Sequence, residues 1–264
     1  MDSALNQAKK HLIFALDVPD RKEAERYVKM LDGFVGCFKV GLELFVREGP
    51  DVLQVVKDHS SADIFLDLKL HDIPATVNRA LESVVAHQVK YVTVHLESGE
   101  AFAKLPKSVK SSGLEILAVT LLTSVSKKDI ADSSHFKAFM EIYAGLKQQA
   151  TLAPITSENS QRIAKKIVLE RASIANHSGC AGVICSGDEV SAVKEITSRG
   201  FKVVVPGIRP AWSIIGNDDQ SRVTTPAQAI ERGADMIVVG RPIRNAENPP
   251  EAAQRILGEI SSAL

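Results

Sequence analysis

Phe65-Leu66-Asp67-Leu68-Lys69-Leu70-His71-Asp72-Ile73-Pro74-Ala75-Thr76 begins as an apolar strand and ends in alternating acid, base and acid. With Ile64 in front of it, period-2 geometry sends Ile64, Leu66, Leu68 and Leu70 to one face and Phe65, Asp67 and Lys69 to the other. Asp67 and Lys69 therefore project from one surface. Asp72 follows where the strand ends, and Pro74 suits the first turn of a helix. Two carboxylates withdrawn from water need a cation, and Lys69 lies between them in the chain. A lone Asp-x-Lys would read as a surface ion pair of small energetic weight. Three alternating charges closing an apolar strand, with a proline-opened helix behind them, read as a functional site.

The strand-then-helix pattern continues on both sides of this stretch. Apolar, β-rich runs occupy 12–16, 35–40, 64–68, 91–96, 116–122, 181–185, 201–205 and 236–239. Amphipathic segments such as 21–31, 77–87 and 227–232 follow most of them. Runs that are apolar on both faces suit a parallel sheet covered by helices. Eight such units predict an α/β fold, a (β/α)8 TIM barrel, with residues 1–264 forming one domain. The rival is a doubly wound open sheet, which usually carries a glycine fingerprint after its first strand; Asp17-Val18-Pro19-Asp20 has no glycine. The stretch 124–178 is long and polar for one connection, with helical patterning at 136–149 and 162–176. It reads as an enlarged helical layer of the same domain.

An apolar fraction of 45% and a charged fraction of 24% are those of a globular chain with ample length for a core. Thirty-two basic and thirty-two acidic residues cancel, so no overall field points to nucleic acid or to a membrane surface. Cys37, Cys180 and Cys185 form no CxxC pair and have no His at zinc spacing; they read as buried free thiols in a reducing compartment. Asp17 and Pro19 break the first apolar run too early for a signal peptide, and no stretch approaches a membrane span. The expectation is a cytoplasmic protein.

Barrel enzymes place their chemistry at the C-terminal ends of the strands. The predicted ends carry Asp17, Lys39, Asp67 with Lys69, His95, Thr123 with Ser124, Pro206-Gly207-Ile208-Arg209 and Gly240-Arg241. Polar residues at most ends, each closing an apolar run, favour one pocket built from many strands. Lys39 sits between Phe38 and Val40 and points into the mouth, or else snorkels to solvent. His95 reads as a hydrogen-bonded structural imidazole. Gly240-Arg241-Pro242 reads as an anion site rather than a simple left-handed turn, because glycine lets backbone N–H groups approach and arginine offers a fork of donors. The polar stretch 207–225 is a candidate lid, the alternative being a surface loop. Arg209 and Gln220 offer it anion ligands.

Asp67-Leu68-Lys69-Leu70-His71-Asp72-Ile73-Pro74-Ala75-Thr76 strongly resembles the signature of the orotidine 5′-monophosphate decarboxylase family, its bacterial branch most of all. Ala15-Leu16-Asp17, Phe38-Lys39-Val40-Gly41, Leu122-Thr123-Ser124, Pro206-Gly207-Ile208-Arg209, Asp219-Gln220 and Val239-Gly240-Arg241 extend the resemblance over the barrel in the expected order. His95-Leu96-Glu97-Ser98-Gly99 departs from it, since smaller residues are expected after the histidine. The resemblance implies conversion of orotidine 5′-monophosphate to UMP and carbon dioxide, the last step of de novo pyrimidine synthesis. It implies no metal and no organic cofactor, and a homodimer in which Asp72 and Thr76 reach into the partner's site. It assigns the run Asp67, Leu68, Lys69, Leu70, His71, Asp72, Ile73, Pro74, Ala75 and Thr76 to substrate binding, with Lys69, Asp67, Asp72 and Lys39 as catalytic. Asp17 and Lys39 are then expected at ribose hydroxyls, Thr123 and Ser124 near the pyrimidine, and Arg209, Gln220, Gly240 and Arg241 at the phosphate or its closing loop.

The implied reaction leaves negative charge on a ring carbon with poor delocalisation. An ammonium fixed beside that carbon stabilises the charge and can deliver the proton, and Lys69 suits that place. Carboxylates on both sides favour its charged form. The close rival is a sugar-phosphate enzyme such as 3-keto-L-gulonate 6-phosphate decarboxylase, which shares Asp-x-Lys-x-x-Asp but uses Mg²⁺ with a glutamate where this chain has Lys39. A cation there opposes a metal. A silent phosphate-binding barrel, the reading of a different class, does not need the Asp67, Lys69 and Asp72 alternation.

Overall fold

The computed structural model describes residues 3–96, 105–122, 160–213 and 224–264. Eight parallel strands close into a barrel in chain order, β8 pairing back onto β1. They are β1 Leu12–Ala15, β2 Cys37–Gly41, β3 Asp63–Leu70, β4 Tyr91–His95, β5 Glu115–Val119, β6 Gly182–Ile184, β7 Lys202–Val205 and β8 Met236–Val239. The open doubly wound alternative is thereby excluded. Helices such as Arg21–Leu31, Pro74–Ala86 and Ser160–His177 lie between the strands, and Pro249–Ala263 follows β8. The expected helix at 162–176 falls inside Ser160–His177, whereas 136–149 lies outside the described residues.

The period of two decides where each strand residue goes. Ile13 and Ala15 join Phe65, Tyr91, Leu117 and Val238 in a cluster inside the barrel. Leu12, Phe14 and Leu16 face outward and pack with helix residues such as Val28, Leu31 and Ile256. Rings interlock edge to face in both shells, Phe65 with Tyr91 at 6.2 Å inside and Phe14 with Phe38 at 6.3 Å outside. Each such side chain contributes about 1.5–3 kcal/mol by leaving water. Two apolar shells thus hold the barrel without help from its mouth, which is free to carry charge.

Two strands end more than one residue away from the sequence reading. β5 stops at Val119, and at the next residue side chains join the pairing: Thr120 Oγ1 donates to the Ile184 carbonyl at 2.6 Å, and the Thr120 carbonyl accepts from Arg171. β3 runs on through Lys69 and Leu70. At the opposite end the barrel floor pairs its charges internally. Glu115 accepts from Lys90 at 3.0 Å and from Lys202, and Lys194 meets Asp235 at 2.7 Å. The three cysteines are free and buried, and burial pushes the Cys180 thiol up to about 12. Among the described residues no helix is long and apolar enough to cross a membrane.

Candidate active site

β3 supplies the centre of the mouth. Asp67 keeps 13% of its side-chain surface, and both of its oxygens are engaged. Its Oδ1 lies 2.8 Å from Lys69 Nζ, and its Oδ2 lies 3.6 Å from Lys39 Nζ, which reaches across from β2. Lys39 Nζ also donates to Asp17 Oδ1 at 3.0 Å, just past the end of β1. Asp17, Lys39, Asp67 and Lys69 therefore form one line of alternating charge over three adjacent strands. Burial pushes the Asp67 carboxyl up, but Lys39 and Lys69, with hydrogen bonds from Lys69 and Thr93, outweigh it and hold it below the usual value. Lys39 is 11% exposed, so the snorkelling alternative does not hold.

The strand is not regular where it carries this chemistry. The pairing steps from Leu66↔Val92 to Leu70↔Val94, so four steps along β3 face two along β4. Lys69 absorbs the excess with φ 51°, a left-handed conformation that costs a non-glycine residue roughly 1–2 kcal/mol. Its N–H has left the ladder and donates to Thr93 Oγ1 at 2.9 Å. Thr93 in turn donates to Asp67 Oδ1 at 2.8 Å. Asp67 and Lys69 do share a surface, as the alternation predicts, but through a bulge and not through strict pleating.

Two glycines border Lys39 and Asp17, and the packing is tight at the first of them. A Cβ on Gly41 would lie 3.1 Å from Lys39 Nζ and 3.3 Å from Asp17 Oδ1. A Cβ on Gly240 would lie 3.7 Å from Asp17 Oδ2, so the end of β8 closes on the same carboxylate. Gly240 has φ −115°, which removes the left-handed-turn alternative. Arg241 opens the short turn that follows, and Arg244 of that turn donates to the Asp17 carbonyl.

A cavity of about 140 Å³ opens over these groups. Lys39, Asp67 and Lys69 make its charged side; Phe65, Leu121 and Pro206 make its apolar side. It suits a flat ring with one polar edge. Asp72 lies beyond this line on an exposed turn, where its Oδ1 accepts from the Ile73 N–H at 2.7 Å. Pro74 starts the helix Pro74–Ala86, as its ring geometry favours, and Thr76 sits in the first turn. The His71 and His95 rings stand 5.1 Å apart at 37°. Arg209 is buried, its guanidinium donating to the Ile208 carbonyl at 2.9 Å, and its N–H meets the Thr224 carbonyl, which brings the two ends of the 207–225 stretch together. Thr123, Ser124 and Gln220 lie outside the described residues, as do Glu97-Ser98-Gly99 and the middle of the proposed lid.

Thr93 and Arg244 were not legible as site residues. Thr93 left one signal: it is a hydroxyl within an apolar run, two residues before His95 and hence on the same face. Arg244 left none, because its contact spans 227 positions.

Fold and mouth together define a (β/α)8 barrel enzyme that works with interleaved ammonium and carboxylate groups at its strand ends. Residues 10–256 match the model of the orotidine 5′-phosphate decarboxylase / HUMPS family, and the chain belongs to that family. An orotidine 5′-phosphate decarboxylase of Desulfosudis oleivorans is 43% identical over 257 residues, covering 97% of this chain and 95% of the relative. One of Syntrophotalea carbinolica is 37% identical over 268 residues, covering 98% of each. The crystal structure of orotidine 5′-phosphate decarboxylase from Lactobacillus acidophilus superposes with a TM-score of 0.69 at 32% identity, over 95% of this chain and 99% of that one.

Proposed function

We propose that this chain decarboxylates orotidine 5′-monophosphate to UMP and carbon dioxide, the final step of de novo pyrimidine synthesis, with Lys69 as the proton donor. The observation that carries the reading is the line Asp17–Lys39–Asp67–Lys69 beside a cavity with one apolar wall. When the bond from C6 to the carboxylate breaks, its electron pair stays on C6. The Lys69 ammonium faces that charge, stabilises it, and transfers its proton to C6. Asp67 holds the ammonium in place at 2.8 Å. Lys39 and Asp17 meet the ribose hydroxyls, while Arg209, Gln220, Gly240 and Arg241 take the phosphate, with Thr123 and Ser124 at the pyrimidine.

The matched family also holds sugar-phosphate enzymes, in which a glutamate stands at the place of Lys39. An ammonium 3.0 Å from one carboxylate and 3.6 Å from the next already supplies the positive charge that a divalent ion would bring. This favours the nucleotide over the sugar phosphate, and cofactor-independent chemistry over metal-assisted chemistry.

The active unit is a homodimer with Asp72 and Thr76 placed in the partner's site. Support comes from the exposed turn bearing Asp72, from Ile73 at 65% exposure, and from Leu42 and Val46 at 58% and 73% on the helix after β2. Buried free thiols support a cytoplasmic location. The test is the absorbance change of orotidine 5′-monophosphate with chelator-treated protein and with Lys69→Ala. Metal-free turnover that the substitution abolishes supports the reading; turnover only with Mg²⁺ moves the chain to the sugar-phosphate branch. Mixing Asp72→Ala with Lys69→Ala chains tests sharing, which fails if hybrid dimers recover no activity.

A further inference from the structure

We infer that Thr93 is a positioning residue for the decarboxylation, holding Lys69 and Asp67 in register through one hydroxyl. The inference rests on the reading of Lys69 as proton donor and adds the group that places it. Thr93 is fully buried on β4, and its oxygen has two partners, both on β3. It accepts from the Lys69 N–H at 2.9 Å and donates to Asp67 Oδ1 at 2.8 Å. A hydroxyl can do both at once; a methyl or a carboxylate cannot.

The position matters because the ladder fails there. Between Leu66 and Leu70 the β3–β4 register slips, and Lys69 takes a left-handed φ of 51°. A left-handed lysine is unfavourable and its freed N–H would be an unpaired donor in a half-buried place. Thr93 supplies the missing acceptor, so the bulge has one stable form. The same oxygen fixes the rotamer of Asp67, whose Oδ1 also accepts from Lys69 Nζ at 2.8 Å. Main chain and ammonium of one residue are thus tied to a single buried oxygen, directly and through Asp67. A strand that only needed packing at this point would be served by valine, which has the same shape.

The decisive experiment compares Thr93→Ser with Thr93→Ala, which differ by the hydroxyl alone, and adds Thr93→Val, which keeps the volume. Positioning predicts that Ser retains kcat while Ala and Val lose roughly 10- to 100-fold, the scale of a misplaced reacting group. KM is expected to stay near its original value, because the phosphate and ribose contacts lie elsewhere. Hydrogen exchange at the Lys69 amide is expected to speed up in Ala and Val but not in Ser. Equal kcat in Ser and Ala overturns the proposal, as does a loss carried by KM alone. If Val does not fold, the Ser and Ala pair still decides. Activity that survives Lys69→Ala would instead overturn the reading of the proton donor, a separate failure.

Discussion

Replacing Lys39 by methionine removes one charge from the mouth and keeps most of the stem. Lys39 Nζ lies 3.6 Å from Asp67 Oδ2, which at an effective dielectric near 20 is an attraction of about 5 kcal/mol. That figure is a ceiling. Asp67 retains Lys69 at 2.8 Å and the Thr93 hydroxyl, and water entering the vacated space screens the rest. A net loss of about 2 kcal/mol is the expected scale, below the 3–5 kcal/mol typical of a fully orphaned buried charge. Asp17 adds little, since it is half exposed and water can replace its partner. The sign follows from the direction of the Asp67 shift. Lys39 helps to hold that carboxyl below its usual value, so removing it raises the carboxyl's pKa. The acid limb of the kcat profile therefore moves to higher pH. Initial rates across the acid range give the limb, and urea unfolding at neutral pH gives the stability loss without needing turnover. An unmoved acid limb together with unchanged stability refutes the coupling of Lys39 to Asp67.

Asp67→Asn is expected to abolish turnover and to change the response to acid. The depressed carboxyl stabilises the fold above its ordinary value of 3.8, and that contribution vanishes as pH falls through the folded value, so acid titrations of the two proteins converge at low pH. Glu115→Gln removes the anion that two lysines share on the barrel floor. Because those lysines are about a third exposed and can turn to water, it costs about 1–2 kcal/mol in urea unfolding and leaves kcat unchanged. Gly182→Ala places a Cβ 2.3 Å from the Lys202 carbonyl oxygen, which is backbone and cannot step aside, so thermal unfolding is expected to show a loss of about 3 kcal/mol.

The barrel was legible because its information is local. A run such as 12–16 declares itself apolar on both faces, and the structure sends Ile13 inward and Phe14 outward as the period requires. Charges at the strand ends were legible for the same reason: each interrupts a run. What the sequence left open involved partners distant in the chain. Whether Lys39 snorkels depends on Asp17, 22 positions away, and the conformation of Lys69 depends on Thr93, 24 positions away. Alternation alone made β3 a regular strand, because nothing within the stretch announces that its neighbour will be shorter by two steps over the bulge.

That bulge resolves a conflict built into the site. An ammonium that must reach a reacting carbon has to be accessible, whereas one that must be held in place has to be paired. The four charges divide the work by exposure. Asp67 and Lys39 keep 13% and 11% of their side-chain surface, and each contacts two opposite charges, so they hold. Lys69 and Asp17 keep 37% and 49%, and each contacts one, so they reach. The reaching ends are the ones proposed to meet the ring carbon and, beside Lys39, the ribose. Regular pleating would stand Lys69 upright beside Asp67, with its N–H spent in the ladder. The left-handed turn keeps its N–H tied to Thr93 and its Nζ tied to Asp67 while two ammonium protons stay available to a ligand. The strain at Lys69 is therefore tied to having one lysine both anchored and open, a demand that a stabilising substitution at this position would defeat.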